Sequence, residues 1–299
     1  MTTQTLSPRA FVLLLALATM FGGNHVAARL AIDHGVNVPT AVAVRSLGTA
    51  VVVALIVVVQ GLPWRFERRH WRVMPLISAL VAVQSLCLYA AVARIPVGLA
   101  LLAFNTYPLW TAAAAWALYG QRPERAVLIA MPLILAGLAL ALNVPSLAQR
   151  ATGGDGASRV ALGVPLAVLA AAVFGVVLAL TQHEVAALDG RVRTAFTMIV
   201  VGLLALLAAP WQGGLQWPHD AVGWSGLAAL TVLYGTAFTV MFTLLPRLGV
   251  VGNSPILNVE PVAALVLGWW ILGQSVTAIQ WAGALLVVGT VMALGLRRR

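Results

Sequence analysis

The side chain best placed to do chemistry in this chain is Glu260, because it is the only acid near the centre of any long apolar segment. A carboxyl group in such surroundings is costly and by default marks a functional site. It can carry a proton or bind a substrate ammonium. It can equally be a structural acid that is protonated or paired with an arginine, and the sequence leaves both interpretations open.

His25 is a second ionisable group within an apolar segment, and its spacing of four from Phe21 and Arg29 places all three on one helix face. Such a histidine can relay protons or be a hydrogen-bonded packing residue, and we favour a place in the lining of a cavity. Arg29 and Arg45 lie toward the outer ends of their segments, so we expect them to extend outward. Either could instead attract a carboxylate and bind the negative end of a zwitterion opposite Glu260.

Two Asn-x-x-Pro motifs occupy the centres of two apolar segments. The first has Asn105 and Pro108, and the second has Asn258 and Pro261. Each proline frees the carbonyl four residues earlier, which is that of Phe104 in the first motif. The asparagine amides are placed to serve these carbonyls, so the motifs can be tolerated kinks with local repair. We favour two bent helices that cross at a binding site, because the motif recurs at the same depth.

The elements that carry these residues must lie in a membrane. Of the 299 residues, 61% are hydrophobic and 9% are charged, and the mean hydropathy is +0.97, whereas about a quarter of a soluble chain is charged. This composition excludes a soluble enzyme, a nucleic-acid-binding domain and a disordered chain, and it makes the lipid bilayer the expected surroundings.

Continuous apolar runs favour helices over a β-barrel, and a membrane helix needs about 20 residues. We predict an all-α membrane protein with ten transmembrane helices, short connections and no soluble domain. The predicted helices are 11–32, 39–59, 73–94, 97–119, 126–143, 160–181, 193–211, 222–245, 250–272 and 278–296.

Arginine supplies all the positive charge of the chain, whose net charge is +10. With ten helices both termini share one side, and thirteen arginines fall on that side. The other side has only Arg94, Arg150 and Arg159. Because positive charge concentrates in cytoplasmic loops, this distribution predicts cytoplasmic termini in a bacterial inner membrane.

An internal repeat is visible when the sequence is compared with itself at an offset of 153 residues. The matches include Phe21-Gly22 with Phe174-Gly175, Gly61-Leu62-Pro63-Trp64 with Gly214-Leu215-Gln216-Trp217, Asn105-Thr106-Tyr107-Pro108 with Asn258-Val259-Glu260-Pro261, and Gly120-Gln121 with Gly273-Gln274. The predicted repeats are 1–147 and 160–299, joined by a linker at 148–159. Five helices per repeat is an odd number, so the second repeat enters the membrane from the opposite side. Inverted repeats are typical of secondary transporters, although channels also contain them.

Polar and aromatic stripes occupy equivalent helices of the two repeats. Ser85 and Tyr89 share a face of the third predicted helix, and Tyr234 lies close to Phe238 on the eighth. Stripes of this kind are more often ordinary helix packing than a site. Their related placement favours a pathway lined by some of them.

Several motifs of chemistry are missing from the sequence. It has no phosphate-binding loop ending in Lys, no His-Glu-x-x-His, no Gly-x-Ser-x-Gly and no Asp-rich diphosphate motif. We therefore expect neither ATP as a direct energy source nor a bound cofactor or metal, and an enzyme is the weaker interpretation.

The chain resembles the drug/metabolite transporter superfamily, specifically its EamA-type members, over essentially its whole length. The five-plus-five repeat and the similar segments 105–121 and 258–274 carry the resemblance. Within the superfamily it looks most like the YddG-type exporters of aromatic amino acids. The resemblance implies ten helices, a central cavity formed by both halves, and export of amino acids or related metabolites. Family members often have Glu where Gln121 and Gln274 stand here, which weakens the case for proton coupling.

The first hypothesis is a secondary transporter that exports neutral amino acids, aromatic ones included, by alternating access. Its expected site residues are His25, Tyr89, Asn105, Tyr234, Asn258 and Glu260, with Pro108 and Pro261 shaping the helices. The expected partners are a small-molecule substrate and the bilayer, with no nucleic acid, and the expected state is a monomer. The alternatives are an exporter of lipophilic cationic drugs, bound by Glu260 and aromatic rings, and a membrane-embedded enzyme that acts on a lipid.

Overall fold

The computed structural model describes residues 8–64, 66–122, 125–141, 155–243 and 260–297, and these residues form helices and connections without a strand. The α-helices are α1 (Pro8–Asp33), α2 (Val38–Val59), α3 (Arg68–Val92), α4 (Val97–Phe104), α5 (Tyr107–Tyr119), α6 (Arg125–Ala141), α7 (Asp155–Glu184), α8 (Gly190–Ala208), α9 (Ala221–Thr243), α10 (Glu260–Leu272) and α11 (Ala278–Arg297). A short 3₁₀ turn, Ala209–Gln212, follows α8.

The described helices belong to a multi-pass membrane protein. Seven spans are long and apolar enough to cross a bilayer, with α4 and α5 together forming one of them, and shorter apolar helices cover Glu260–Leu272 and Ala278–Thr290. Large apolar side chains point away from the protein, for example Val58 and Val59 on α2 and Trp270 on α10. Such a surface suits lipid because apolar area exposed to water is unfavourable.

The segment predicted as one helix over 97–119 is divided in the structure. The chain leaves the α-helix at Asn105 and Thr106, and α5 begins with Pro108 in its first turn. Pro108 has no N–H to donate to the carbonyl of Phe104, so the helical ladder is interrupted there. The backbone N–H of Asn105 still donates to the carbonyl of Leu101, at 2.8 Å, as in a regular helix. The helix α7 also starts earlier than predicted, because it begins at Asp155, inside the predicted linker.

One end of the molecule, which we call the His34 end, is formed where α1 ends and α9 begins. The Nδ1 of His34 lies 2.7 Å from the carboxylate of Asp220, and the backbone N–H of His219 donates to the carbonyl of His34 at 3.0 Å. A hydrogen bond from the backbone N–H of Gly223, together with that from His34, holds the pKa of Asp220 below its usual range. Asp220 is therefore charged at neutral pH.

The opposite end, which we call the Arg191 end, joins the first turns of α3 and α8 to the last residues of α2 and α7. Arg191 donates to the side chain of Gln60, and the Nε of Arg69 donates to Glu184 at 2.8 Å. Tyr119 at the end of α5 also donates to Glu184, at 2.8 Å. When α4 and α5 are taken as one divided helix, the helices joined by these contacts therefore run alternately between the two ends.

Equivalent helices of the two repeats run in opposite directions. α2 and α8 occupy the same place in the repeat and pack against each other. Asn37 before α2 donates to the carbonyl of Gly214, which follows α8, at 2.7 Å. At the other end Arg191 contacts Gln60. The start of each helix therefore lies beside the end of its counterpart, as inverted repeats require.

The packing of the helices has the same symmetry. α1 packs on α9 and α10, and its counterpart α7 packs on their counterparts α3 and α5. Glycines permit the closest approaches. A Cβ on Gly22 would lie 3.0 Å from the backbone N of Ala264, and a Cβ on Gly175 would lie 2.6 Å from that of Thr111. These two contacts are related by the repeat offset of 153 residues.

Candidate functional site

A cavity of about 380 Å³ lies between the two halves of the chain. This volume is within the range of roughly 300–1,000 Å³ that is usual for small-molecule sites. Its wall is formed by α1, α2, α3 and the break between α4 and α5 on one side, and by α7, α8, α9 and α10 on the other. Apolar and aromatic side chains cover most of the wall. It also contains a histidine, two arginines and a carboxylic acid: His25, Arg45, Arg193 and Glu260.

Equivalent positions of the two repeats meet across this cavity. Residues separated by the offset of 153 line it together in the pairs Phe21 and Phe174, His25 and Leu178, Arg45 and Met198, Val81 and Tyr234, Ser85 and Phe238, and Tyr107 and Glu260. Such pairing places the cavity on the axis that relates the halves.

The chemistry of these pairs is unequal although their positions are equivalent. The ionisable members His25, Arg45 and Glu260 stand opposite Leu178, Met198 and Tyr107. The first repeat thus supplies the histidine and the arginine, and the second repeat supplies the carboxyl group. A ligand with two different ends can bind such a site in one orientation.

His25 and Glu260 lie side by side in one part of the wall. The Nε2 of His25 lies 3.5 Å from Oε1 of Glu260, which places the two groups at ion-pair distance when the histidine is protonated. The His25 ring also meets the Tyr89 ring edge to face, with 5.5 Å between centroids. Within the described residues Nδ1 of His25 is buried without a hydrogen-bond partner, and a group of this kind marks a place for a ligand or a water.

Arg45 is one of the two arginines in the wall of the cavity, and the expectation that it extends outward is wrong. Arg45 is only 3% exposed. The guanidinium lies over the ring of Tyr234, 3.9 Å from the centroid, and 4.9 Å from that of Tyr89. It donates to the hydroxyls of Tyr89, at 3.2 Å, and Ser85, at 3.1 Å. Contacts with α3 and α9 thus turn the side chain inward.

Arg29 is held near the end of α1 by an acidic side chain and a backbone carbonyl. Its Nε donates to both oxygens of Asp33 at 2.8 Å, and its Nη1 donates to the carbonyl of Val92 at 2.8 Å. The side chain therefore joins α1 to the end of α3 near the His34 end. It does not line the cavity.

The structure brings together five of the six predicted site residues, and the sixth, Asn258, lies outside the described residues. The cavity is lined by His25, Tyr89, Asn105, Tyr234 and Glu260 alike. Tyr89 donates to the amide oxygen of Asn24 at 3.0 Å and accepts from Arg45, so it belongs to a buried polar network.

Asn105 and the two prolines shape the wall more than they present polar atoms to it. The amide of Asn105 donates to the carbonyl of Leu101 at 2.9 Å, and not to that of Phe104, which the local-repair alternative requires. Pro108 follows the helix break, and Pro261 is buried in the first turn of α10. Neither proline is in contact with the cavity.

Sequence reasoning missed the part of the wall that α8 supplies. Arg193, Thr194 and Thr197 line the cavity together with Met198. Their spacing of three and four residues puts them on one helix face, and this was the available signal. Arg193 is the first residue of the predicted helix 193–211, and its side chain reaches the cavity wall.

The cavity extends from the middle of the helices toward the Arg191 end. Thr181 and Arg193 line it within about one turn of the adjoining ends of α7 and α8. On the opposite side α1 and α9 pack backbone to backbone, because a Cβ on Gly226 would lie 2.9 Å from the N of Ala31. This contact packs α1 closely on α9 at the His34 end.

Proteins similar to this chain are transporters. An uncharacterized transporter of Synechocystis sp. is 28% identical over 69% of this chain, and the match spans 61% of that protein's length. The threonine/homoserine exporter RhtA of Escherichia coli K12 is 27% identical over 94% of this chain, and the match spans 88% of the exporter's length. A solved crystal structure covers 94% of this chain and 99% of its own with a TM-score of 0.60, and at 17% identity this similarity shows a common fold alone.

The family comparison agrees with the repeat that is visible in the fold. The EamA-like transporter family matches the chain twice, over residues 8–143 and 161–296. The two matches together cover nearly all of the described helices, and each contributes one side of the cavity. The chain therefore belongs to the EamA-like transporter family, within the drug/metabolite transporter superfamily.

Proposed function

We propose that this protein is a secondary transporter that exports neutral amino acids or closely related metabolites by alternating access. The observation that carries the proposal is the cavity on the axis between the halves, with Glu260 and His25 in one part of its wall and Arg45 in another. Such a wall suits a small molecule with a positive and a negative end. The similar threonine/homoserine exporter supports the same substrate class.

The proposed architecture has ten membrane crossings in two inverted sets of five, with repeats 1–147 and 160–299. The antiparallel contact of α2 with its counterpart α8 supports the inversion. The start of α1 and the end of α11 both fall at the Arg191 end, which also carries most of the arginines near helix ends. By the positive-inside rule this end faces the cytoplasm of a bacterial inner membrane.

In this architecture we take the conformation of the structure to face the cytoplasm, because the cavity approaches the Arg191 end and α1 packs closely on α9 at the His34 end. Export then requires α1 and α9 to part at the His34 end while the Arg191 end closes. Inverted halves make the two states equivalent in packing, since each half adopts the conformation of the other. One chain builds the whole site, so the proposed unit is a monomer.

A second candidate is an exporter of lipophilic cations, and the aromatic wall favours it. Phe21, Tyr107, Phe174 and Phe238 surround the cavity, and Tyr107 packs on Phe174 with 5.2 Å between centroids. Aromatic faces and a carboxylate together bind organic cations. The buried charge of Arg45 opposes a cation in the same cavity, which makes this the weaker proposal.

Counterflow into liposomes tests the proposed function. Purified protein should exchange labelled threonine or phenylalanine for unlabelled amino acid trapped inside, faster than protein-free liposomes. Mass analysis should recover the solute chemically unchanged, whereas a lipid enzyme would give an altered product. If no amino acid of a broad panel exchanges faster than in protein-free liposomes, and a lipophilic cation is taken up, the results favour the second candidate.

A further inference from the structure

Arg45 lies at a depth where a charged side chain is rarely left without an opposite charge. It is in the second turn of α2, is 3% exposed, and its head group is in the cavity wall rather than at the membrane interface. Buried arginines in membrane helices typically pair with a carboxylate or mark a substrate pathway.

The contacts of Arg45 leave its charge uncompensated. Two of the five guanidinium N–H groups donate to the Tyr89 and Ser85 hydroxyls, which are neutral. Stacking on Tyr234 stabilises a cation but does not neutralise it. Among the described residues no ion pair includes Arg45, and its Nε is buried without a partner.

The position equivalent to Arg45 in the other repeat carries no charge. The residue there is Met198, which occupies the same place in the wall. The carboxyl group of Glu260 faces His25 and not Arg45. The fold thus holds a guanidinium in the cavity wall, while the acid of the same wall lies beside His25.

We propose that Arg45 is the carboxylate-binding residue of this cavity, so that its ligands carry a free carboxylate. A guanidinium presents parallel N–H groups that match the two oxygens of a carboxylate, and burial strengthens such a charge-assisted pair. The inference rests on the proposed function and refines it. The ammonium of a zwitterion then points to Glu260, while its carboxylate lies on Arg45 between Tyr89 and Tyr234.

The test compares one ligand with the same molecule lacking its carboxylate charge. The probes are L-threonine and L-threoninamide, and the readouts are counterflow in liposomes and thermal stabilisation of the purified protein. The proteins are the wild type, Arg45→Gln, Arg45→Lys and the matched control Arg94→Gln. Arg94 is an exposed arginine that bonds only to the carbonyl of Ala90 within the described residues, so its replacement removes the same charge outside the cavity.

The wild type and Arg94→Gln should prefer threonine to the amide by at least about tenfold, the effect of one lost charge-assisted hydrogen bond. Arg45→Gln should lose this preference because threonine transport falls while amide transport persists, and Arg45→Lys should keep part of it. Equal use of acid and amide by the wild type would overturn the inference, and this arm remains decisive if Arg45→Gln does not fold.

The two claims fail separately. If Arg45→Gln still prefers threonine by the wild-type factor, then the assignment of Arg45 is wrong and amino-acid transport stands. If the wild type exchanges no amino acid, then the proposed function is wrong. Thermal stabilisation of the wild type and of Arg45→Gln by acetate and other simple carboxylates then tests the assignment of Arg45. Stabilisation of the wild type alone supports the assignment, and equal stabilisation of both proteins overturns it.

Discussion

At the scale of single residues, the cavity depends on polar groups that one half supplies and the other lacks. His25 and Glu260 approach within 3.5 Å from opposite halves of the chain. Leu178 and Tyr107 hold the places that symmetry would give to a second such pair. The symmetric scaffold therefore carries an asymmetric site, which allows it to orient a ligand while both of its states remain similar in packing.

Glu260 is expected to bind the ammonium of the substrate. The Glu260→Gln variant keeps the shape of the side chain and removes its charge, so the half-saturation concentration for threonine should rise by about tenfold, the effect of one charge-assisted hydrogen bond. Glu260→Asp keeps the charge and should recover part of the affinity. Counterflow over a range of threonine concentrations measures both. An unchanged half-saturation concentration in the Gln variant would remove Glu260 from the binding site.

The sequence predicts the position of Glu260 and His25 but not that of Arg45. A carboxyl group at the centre of an apolar segment cannot reach the water at either membrane surface, and it is costly in lipid. Its depth alone therefore indicates that it faces a cavity inside the protein. An arginine near a helix end can reach outward or inward with similar ease. Only the packing of α3 and α9, which brings Tyr89 and Tyr234 beside Arg45, decides between these directions.

At the scale of helices, two equivalent glycine contacts set the distance between the elements that form the wall. Gly22 brings α1 against α10, and Gly175 brings α7 against α5. Each contact lies next to a lining aromatic, Phe21 in one half and Phe174 in the other. The sequence shows this pair as a repeated Phe-Gly, while the partner helices appear only in the fold.

Gly175→Ala is expected to destabilise the protein. The new Cβ would lie 2.6 Å from backbone atoms of Trp110 and Thr111, which cannot move without shifting α5. Overpacking of this kind costs about 1–3 kcal/mol, more than the roughly 1 kcal/mol that alanine contributes to helix propensity. The fraction of monodisperse protein that remains after heating in detergent measures the effect.

Gly289→Ala is the matched control, because a Cβ at Gly289 in α11 meets nothing within 4 Å. It should tolerate heat at least as well as the wild type. Equal heat tolerance of the Gly175 and Gly289 variants would contradict a backbone contact between α5 and α7.

At the scale of the whole molecule, the repeat predicts the inversion through the odd number of helices in each half. The structure shows it directly, since α2 and α8 exchange end contacts through Asn37 with Gly214 and through Arg191 with Gln60. The direction in which the cavity faces could not be predicted, because it depends on which end contacts are made. In this conformation His34, His219 and Asp220 join the halves at one end.

The most direct test of alternating access is to lock the His34 end. The chain has one cysteine, Cys87, so a Cys87→Ala background allows cysteines to be placed only at His34 and Asp220, whose side chains are 2.7 Å apart. The single variants treated with the same short thiol crosslinker are the controls. We expect crosslinking of the double variant to abolish threonine counterflow in liposomes and cleavage of the crosslink to restore it. Undiminished counterflow in fully crosslinked protein would show that cargo does not pass between α1 and α9, and it would contradict the account.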